Sequence, residues 1–183
     1  MVQKTKKQKN NTMKHLKTFN EMIGSGDYAS FHNKNNEPFW GNTGAGCIII
    51  SLSSGRILLP YRSKFVNEPN CFGVIGGKID EEEGQSESDI EDVVKREFEE
   101  ETGFRGDIQL IPAYVFQTSN KSFTYYNFIG LTDKEFTPVL NWETESFKWV
   151  TFDEMMKIEP KHFGLKGLLN DPSSMSIIRK YAR

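Results

Sequence analysis

The segment that decides the fold is residues 86–104, which run SESDIEDVVKREFEEETGF. Ser88 or Asp89 can cap the start of a helix, and Gly103 suits a left-handed cap at its end. Apolar residues recur at three- and four-residue spacing, which predicts one buried stripe on an amphipathic helix. The residues of this stripe are Ile90, Val93, Val94 and Phe98.

Short β-branched and aromatic segments flank this helix on both sides. We predict strands before it at residues 47–52, 56–62 and 72–75, and after it at 108–117, 123–131 and 147–152. The third strand should close at the pair Gly76-Gly77, and residues 33–46 should form a loop. A short helix should begin at Asp153, and residues 165–169 and 175–181 have helical spacing. Strands around a long helix predict an α/β (α+β) fold with a mixed sheet.

Three glutamates interrupt the apolar stripe. At about 100° per residue, Glu97, Glu100 and Glu101 project onto the same face as Ile90, so the stripe turns acidic in its last two turns. Like charges at this spacing repel, and the helix C-terminus adds the negative end of its dipole. A solvated acidic end is the alternative, which we accept for Glu99. For the other three, a hard divalent cation bound by carboxylate oxygens would resolve the conflict.

The sequence around these glutamates resembles a known family motif. Residues 96–104, REFEEETGF, match every fixed position in the second half of the Nudix box, R-E-U-x-E-E-x-G-U, in which U is apolar. The pair Gly76-Gly77 stands where that family has a glycine turn between strand and helix, and Trp149-Val150 also fits its order. The resemblance covers about residues 44–155 and implies a Nudix-type α/β/α sandwich with a mixed sheet.

The resemblance also implies an activity and a cofactor. The chain would be a hydrolase acting on acid anhydrides in phosphorus-containing compounds. It would cleave a nucleoside diphosphate linked to another moiety, as in a nucleoside triphosphate, ADP-ribose or a nucleotide sugar. Glu97, Glu100 and Glu101 would hold Mg²⁺ or Mn²⁺, and the carbonyl of Gly76 or Gly77 would add an oxygen ligand.

Residues outside the glutamate cluster complete the expected site. Arg96 would orient the glutamates through charge-assisted hydrogen bonds. The general base stays open between Glu100 and a carboxylate from another loop, for which Glu143 and Glu145 are candidates. Three residues are expected to contact the substrate: Arg62, Lys78 and Glu145.

The substrate itself is not identified by the sequence. Aromatic residues alternate along two strands and could stack on a base, although such residues more often belong to a core. They are Tyr114, Phe116, Tyr125, Tyr126 and Phe128. The signatures of ADP-ribose, dinucleoside polyphosphate and NADH hydrolases are absent at their usual spacings.

The chain departs from the family pattern at one place. Eighteen residues separate Gly77 from Arg96, where the family has thirteen, so five are inserted. Ser88 stands at the position of the first family glutamate, and Glu87 or Glu83 is the nearest substitute. This puts in doubt only the first glutamate, because the half of the motif that carries the metal ligands is intact.

Composition limits the class of protein. With 183 residues, 37% hydrophobic and 26% charged, the chain fits one soluble domain. Its longest apolar runs are too short to cross a bilayer, and we expect no secretory signal, because no apolar stretch follows the basic N-terminal residues. The two cysteines, Cys47 and Cys71, lie in apolar segments and predict buried free thiols in a reducing compartment, so we expect a cytoplasmic protein.

The N-terminus differs from the rest of the chain in composition. Four lysines fall within the first nine residues, so we expect residues 1–14 to form a basic, flexible tail and residues 15–183 a single domain. The tail could contact nucleic acid, which leaves an mRNA-decapping enzyme as one alternative. A catalytically silent binding module of the same fold is another. The expected partner is a nucleotide-like small molecule, and the resemblance also allows a homodimer.

Overall fold

The computed structural model describes residues 17–18, 43–79, 86–118 and 120–183. Seven strands and four helices lie along this part of the chain. In chain order they are β1 (Lys17–Thr18), β2 (Thr43–Ser51), β3 (Ile57–Arg62), β4 (Ile75–Lys78), α1 (Glu87–Thr102), β5 (Gln109–Gln117), β6 (Thr124–Thr132), β7 (Thr144–Val150), α2 (Phe152–Lys157), α3 (Phe163–Asn170) and α4 (Pro172–Tyr181).

The strands form one mixed sheet, as predicted. Their order is β1-β5-β6-β2-β3-β7, and β4 also pairs with β2. The pairs β2–β6 and β1–β5 are parallel, while the other pairs are antiparallel. Strand β2 is central because its first half pairs with β4 and its second half with β3 along the same edge.

Side chains alternate between two cores, one on each face of the sheet. Cys47 and Ile49 of β2 face α1 and pack with its stripe, including Val94. Ile48 and Ile50 face the opposite side, where α3 and α4 cover the sheet. The α/β/α sandwich that the resemblance implies is therefore confirmed.

Helix α1 begins earlier than predicted. Its N-cap is Ser86, and neither Ser88 nor Asp89 caps it. The Ser86 hydroxyl accepts the Asp89 N–H at 3.3 Å, and the Asp89 carboxylate accepts the Ser86 N–H at 2.8 Å, which forms a capping box. The predicted end is confirmed, because Gly103 has φ 67° and its N–H bonds to the Glu99 carbonyl at 2.7 Å.

The glycine pair lies within a strand and does not close one. Strand β4 runs from Ile75 to Lys78, so the prediction of a strand at 72–75 was wrong. Phe72 instead makes isolated bridges to β3 and to Lys161. The predicted loop at 33–46 was also wrong at its end, since residues 43–46 begin β2.

The prediction of buried free cysteines is confirmed, and several other predictions fall outside the described ranges. Cys47 and Cys71 are free and buried. No helix in the described part of the chain is long and apolar enough to span a membrane. Residues 1–14, the rest of the predicted loop and residues 80–85, which include the acidic run 80–83, lie outside the described ranges.

Candidate active site

Helix α1 packs its acidic end against the glycines of β4. Glu101 is 7% exposed, and its Oε1 accepts the backbone N–H of Gly76 at 2.7 Å. The previous turn places Glu97 over Gly77, where an added Cβ would lie 2.6 Å from the Glu97 carboxyl carbon. The missing side chain of Gly77 therefore makes room for the Glu97 carboxylate, and Gly76 offers its backbone N–H to Glu101.

Arg96 is adjacent to this pair. Its Nη2 lies 3.3 Å from Oε1 of Glu97, whose side chain is 17% exposed. The expected contact between the arginine and a motif glutamate is thus present.

Glu101 has little positive charge to compensate it. Burial raises its pKa to about 8, against the lowering effect of the Gly76 N–H bond. The charges of Glu143 and Glu97 raise this pKa further, and Arg62 lowers it. The conflict that the sequence predicted at the end of the apolar stripe is therefore present at Glu101.

Glu100 does not face the sheet. It is exposed, as is Glu99, so the expected inward face is correct for Glu97 and Glu101 but wrong for Glu100. About 100° of helix rotation separates Glu100 from Glu101, and only the latter points at β4. Among the described residues, no three His, Cys, Asp or Glu side chains are grouped as a metal site. A shared cation would have to draw Glu100 inward.

The other expected site residues occupy different positions. Glu143 is partly buried and its charge acts on Glu101, whereas Glu145 lies in β7 and is exposed. Arg62 acts on Glu101 electrostatically, and its Nη2 donates to the Asn67 carbonyl at 2.7 Å. Lys78 follows the glycine pair in β4 and is exposed.

A small pocket of about 30 Å³ adjoins Gly76 on the α3 side of the sheet. It is lined by Arg62, Val74, Gly76, Phe123, Tyr125, His162, Phe163 and Gly164. Burial, and then the charges of Arg62 and Lys166, lower the pKa of His162 to about 3, so this imidazole is neutral. Its Nδ1 accepts the Gly164 N–H at 3.1 Å. Sequence reasoning missed His162 and Phe163, since neither belongs to a motif.

Solved structures share this fold. A Nudix hydrolase from M. smegmatis, RenU, aligns with TM-score 0.57 and 18% identity over 82% of this chain and 91% of its own. The NUDIX domain of Shewanella oneidensis NrtR, solved with ADP ribose, aligns with TM-score 0.54 and 14% identity over 85% of this chain and 99% of its own. A C. elegans Ap4A hydrolase aligns with TM-score 0.52 and 18% identity over 75% of this chain and 94% of its own. At these identities the likeness shows the fold alone.

The protein family follows from comparison of the sequence with known proteins and families. No match was found among curated proteins. The family model for the NUDIX domain matches residues 42–171, which include strands β2 to β7, α1 and both glutamates that face β4. The chain therefore belongs to the Nudix hydrolase family.

Proposed function

We propose that the chain is a metal-dependent pyrophosphohydrolase that cleaves a phosphoanhydride bond in a nucleoside diphosphate linked to another moiety. One observation carries the proposal. A buried carboxylate, Glu101, is fixed on the Gly76 N–H beside Glu97, and its pKa is raised to about 8 because burial is poorly compensated. Such a group is suited to a cation and to phosphate chemistry.

The donor set fits Mg²⁺ or Mn²⁺, which prefer oxygen ligands. Glu97, Glu100 and Glu101 would hold the ion. A carbonyl of Gly76 or Gly77 would be a further donor. When bound, the cation would neutralise phosphate charge and acidify the attacking water.

The protein's own groups would orient the reaction. Arg96 would fix Glu97, with which it is already paired at 3.3 Å. Glu143 is better placed than Glu145 to accept a proton from water, because its charge already acts on Glu101. Glu100 stays an alternative base, since its exposed carboxylate can reach a solvent-side water.

The pocket beside Gly76 is proposed to receive the nucleoside end of the substrate. Phe123, Tyr125 and Phe163 supply aromatic surface, and the neutral His162 supplies a polar edge. A volume of about 30 Å³ is too small for a base, so the pocket must widen on binding. Arg62, Lys78 and Glu145 are kept as proposed substrate contacts.

We expect Gly77→Ala to lower kcat by about 10- to 100-fold, because the new Cβ would displace the Glu97 carboxylate. The Gly77 backbone does not have a positive φ, so the fold should tolerate alanine. Steady-state kinetics with circular dichroism melting would separate the two effects. Unchanged turnover would remove Glu97 from the proposed ligand set.

The substrate is tested by phosphate release, coupled to a phosphatase, with Mg²⁺ or Mn²⁺. The panel holds nucleoside triphosphates, ADP-ribose, nucleotide sugars, dinucleoside polyphosphates and capped RNA. We expect turnover of one small-nucleotide class, dependent on metal and lost in Glu101→Gln. Turnover of capped RNA alone would favour decapping. If every substrate is bound but none is cleaved, the chain is a binding module.

Three further expectations stay predictions. Contact with nucleic acid depends on lysines outside the described residues. A homodimer would have candidate contact residues in two loops, where Phe65 is 71% and Trp142 66% exposed. A cytoplasmic location is consistent with the two free thiols.

A further inference from the structure

One tyrosine ring lies in a trough made by glycines of two strands. Tyr125 of β6 is in register with Gly44 of β2, and a Cβ on Gly44 would lie 2.8 Å from the ring atom Cδ2. A Cβ on Gly46 would overlap the tyrosine hydroxyl, and one on Gly76 of β4 would lie 2.8 Å from it. Three glycines thus form the surface that this ring occupies.

The two glycines nearest the hydroxyl face each other across β2 and β4. Gly46 and Gly76 are partners in the register, so neither strand presents a side chain there. Gly76 also has φ 155°, and a Cβ on it would collide with the Ala45 carbonyl. Position 76 is therefore restricted to glycine by its backbone and by the tyrosine.

We propose that Tyr125 is a positioning residue of the active site. Its ring, lodged among Gly44, Gly46 and Gly76, sets the position of the Gly76 backbone and, through the Gly76 N–H, the position of the Glu101 carboxylate. This inference rests on the proposed function for its catalytic consequence, but its structural part can be tested without a substrate.

A short chain of contacts connects the ring to the carboxylate. The hydroxyl of Tyr125 lies against the Gly76 backbone, and the Gly76 N–H is 2.7 Å from Oε1 of Glu101. If the ring were absent, the Gly76 segment would lose its support on the α3 side of the sheet.

The same ring also lines the pocket beside Gly76. Tyr125, Phe123 and Arg62 all line this pocket, and the ring centroids of Tyr125 and Phe123 are 6.2 Å apart. An occupant of the pocket would therefore touch the residue that positions Glu101. This arrangement would link binding of the nucleoside end to the geometry of the carboxylate site.

Three variants separate a positioning role from a packing role. Tyr125→Leu empties the trough, Tyr125→Phe keeps the ring, and Ile129→Ala damages the same face of β6 away from the glycines. We expect kcat at saturating substrate to fall about 30- to 100-fold in Tyr125→Leu, since a small misplacement of a reacting group has effects of this order. Tyr125→Phe should recover most of it, to within about 5-fold of wild type. Ile129→Ala should lower the melting temperature and leave kcat within about 2-fold.

The hydrogen-exchange rate of the Gly76 amide measures directly whether Tyr125 holds the Gly76 backbone in place. With ¹⁵N-glycine labelling and no nucleotide or metal, the Gly76 amide should exchange slowly in the wild type. It should exchange at least about 10-fold faster in Tyr125→Leu, but near the wild-type rate in Tyr125→Phe. Ile129→Ala corrects for any loss of global stability.

Two outcomes would overturn the inference. One is Gly76 exchange in Tyr125→Leu no faster than in Ile129→Ala. The other is kcat in Tyr125→Leu as high as in Ile129→Ala. A wild-type protein that cleaves no substrate, yet shows faster Gly76 exchange in Tyr125→Leu, would contradict the proposed function and leave the positioning role standing.

Discussion

Replacing Glu101 by glutamine is expected to lower kcat by about 10²- to 10³-fold while the protein stays folded. The size is that of removing one electrostatic group from an enclosed site. The fold should persist because the glutamine amide oxygen can accept the same Gly76 N–H that Oε1 accepts at 2.7 Å. Only the charge that would bind the cation is lost. Phosphate release at saturating metal and substrate measures the effect.

Glu99→Gln is the matched control. Glu99 is on the same helix but exposed, with its Oε1 3.1 Å from Nε of Arg105. The Glu99→Gln variant loses the same charge as Glu101→Gln. We expect its turnover to stay within about 2-fold of wild type, because exposed ion pairs contribute little to the energetics of a protein. Equal losses in the two variants would mean that net charge, and not the site, controls activity. An active Glu101→Gln would contradict the proposed metal ligands.

Local pattern was enough to predict most elements of the fold. The apolar stripe of α1 and the β-branched run of β2 were identified because each has the period of its own structure. The left-handed cap at Gly103 was identified because few other residues adopt that conformation. The N-cap was misplaced by two to three residues because several residues there can cap a helix, and only the fold selects Ser86.

The glycine pair was misinterpreted for a different reason. Gly76 and Gly77 have the composition of a turn, yet they lie within β4. Their lack of a side chain is required by Tyr125 on one face and by Glu97 on the other. These partners are far away in sequence, so no local window contains the cause.

In the candidate site, too, local pattern predicted some residues, and others depend on contacts between distant parts of the chain. The spacing of Glu97 and Glu101 was sufficient to predict two inward carboxylates, because one helix face carries both. Glu100 was misassigned because a helical projection gives only the angle of a residue around the helix axis. Whether a residue at that angle is buried depends on how far β4 extends beneath the helix. The pocket residues Tyr125 and His162 come together only through strand pairing and helix packing, which the sequence does not state.

The stability of the metal-free protein should fall as pH rises from 6.5 to 8. Burial raises the folded-state pKa of Glu101 from 4.5 to about 8, so the folded protein binds a proton that the unfolded chain releases. Unfolding free energy therefore decreases with pH, by about 1.4 kcal/mol per unit near pH 6.5 and about half of that near pH 8, which is on the order of 1.5 kcal/mol in all. His162, with a pKa lowered from 6.5 to about 3, acts in the opposite direction, mainly below pH 6.5, and its effect fades above that pH as the unfolded-state imidazole loses its proton. The contribution of Glu101 in this interval is isolated by comparison with Glu101→Gln.

Urea unfolding in the presence of EDTA, repeated at half-unit steps of pH, would measure this slope. Glu101→Gln should remove most of it, because glutamine does not titrate, and Glu99→Gln should keep it. Mn²⁺ should also remove it, since a bound cation favours the ionised carboxylate and adds stability above pH 7. A slope that survives in Glu101→Gln would place the titrating group elsewhere. If Mn²⁺ leaves the slope unchanged while binding is detected, the ion is held by other residues, and the role of Glu101 must be reassigned.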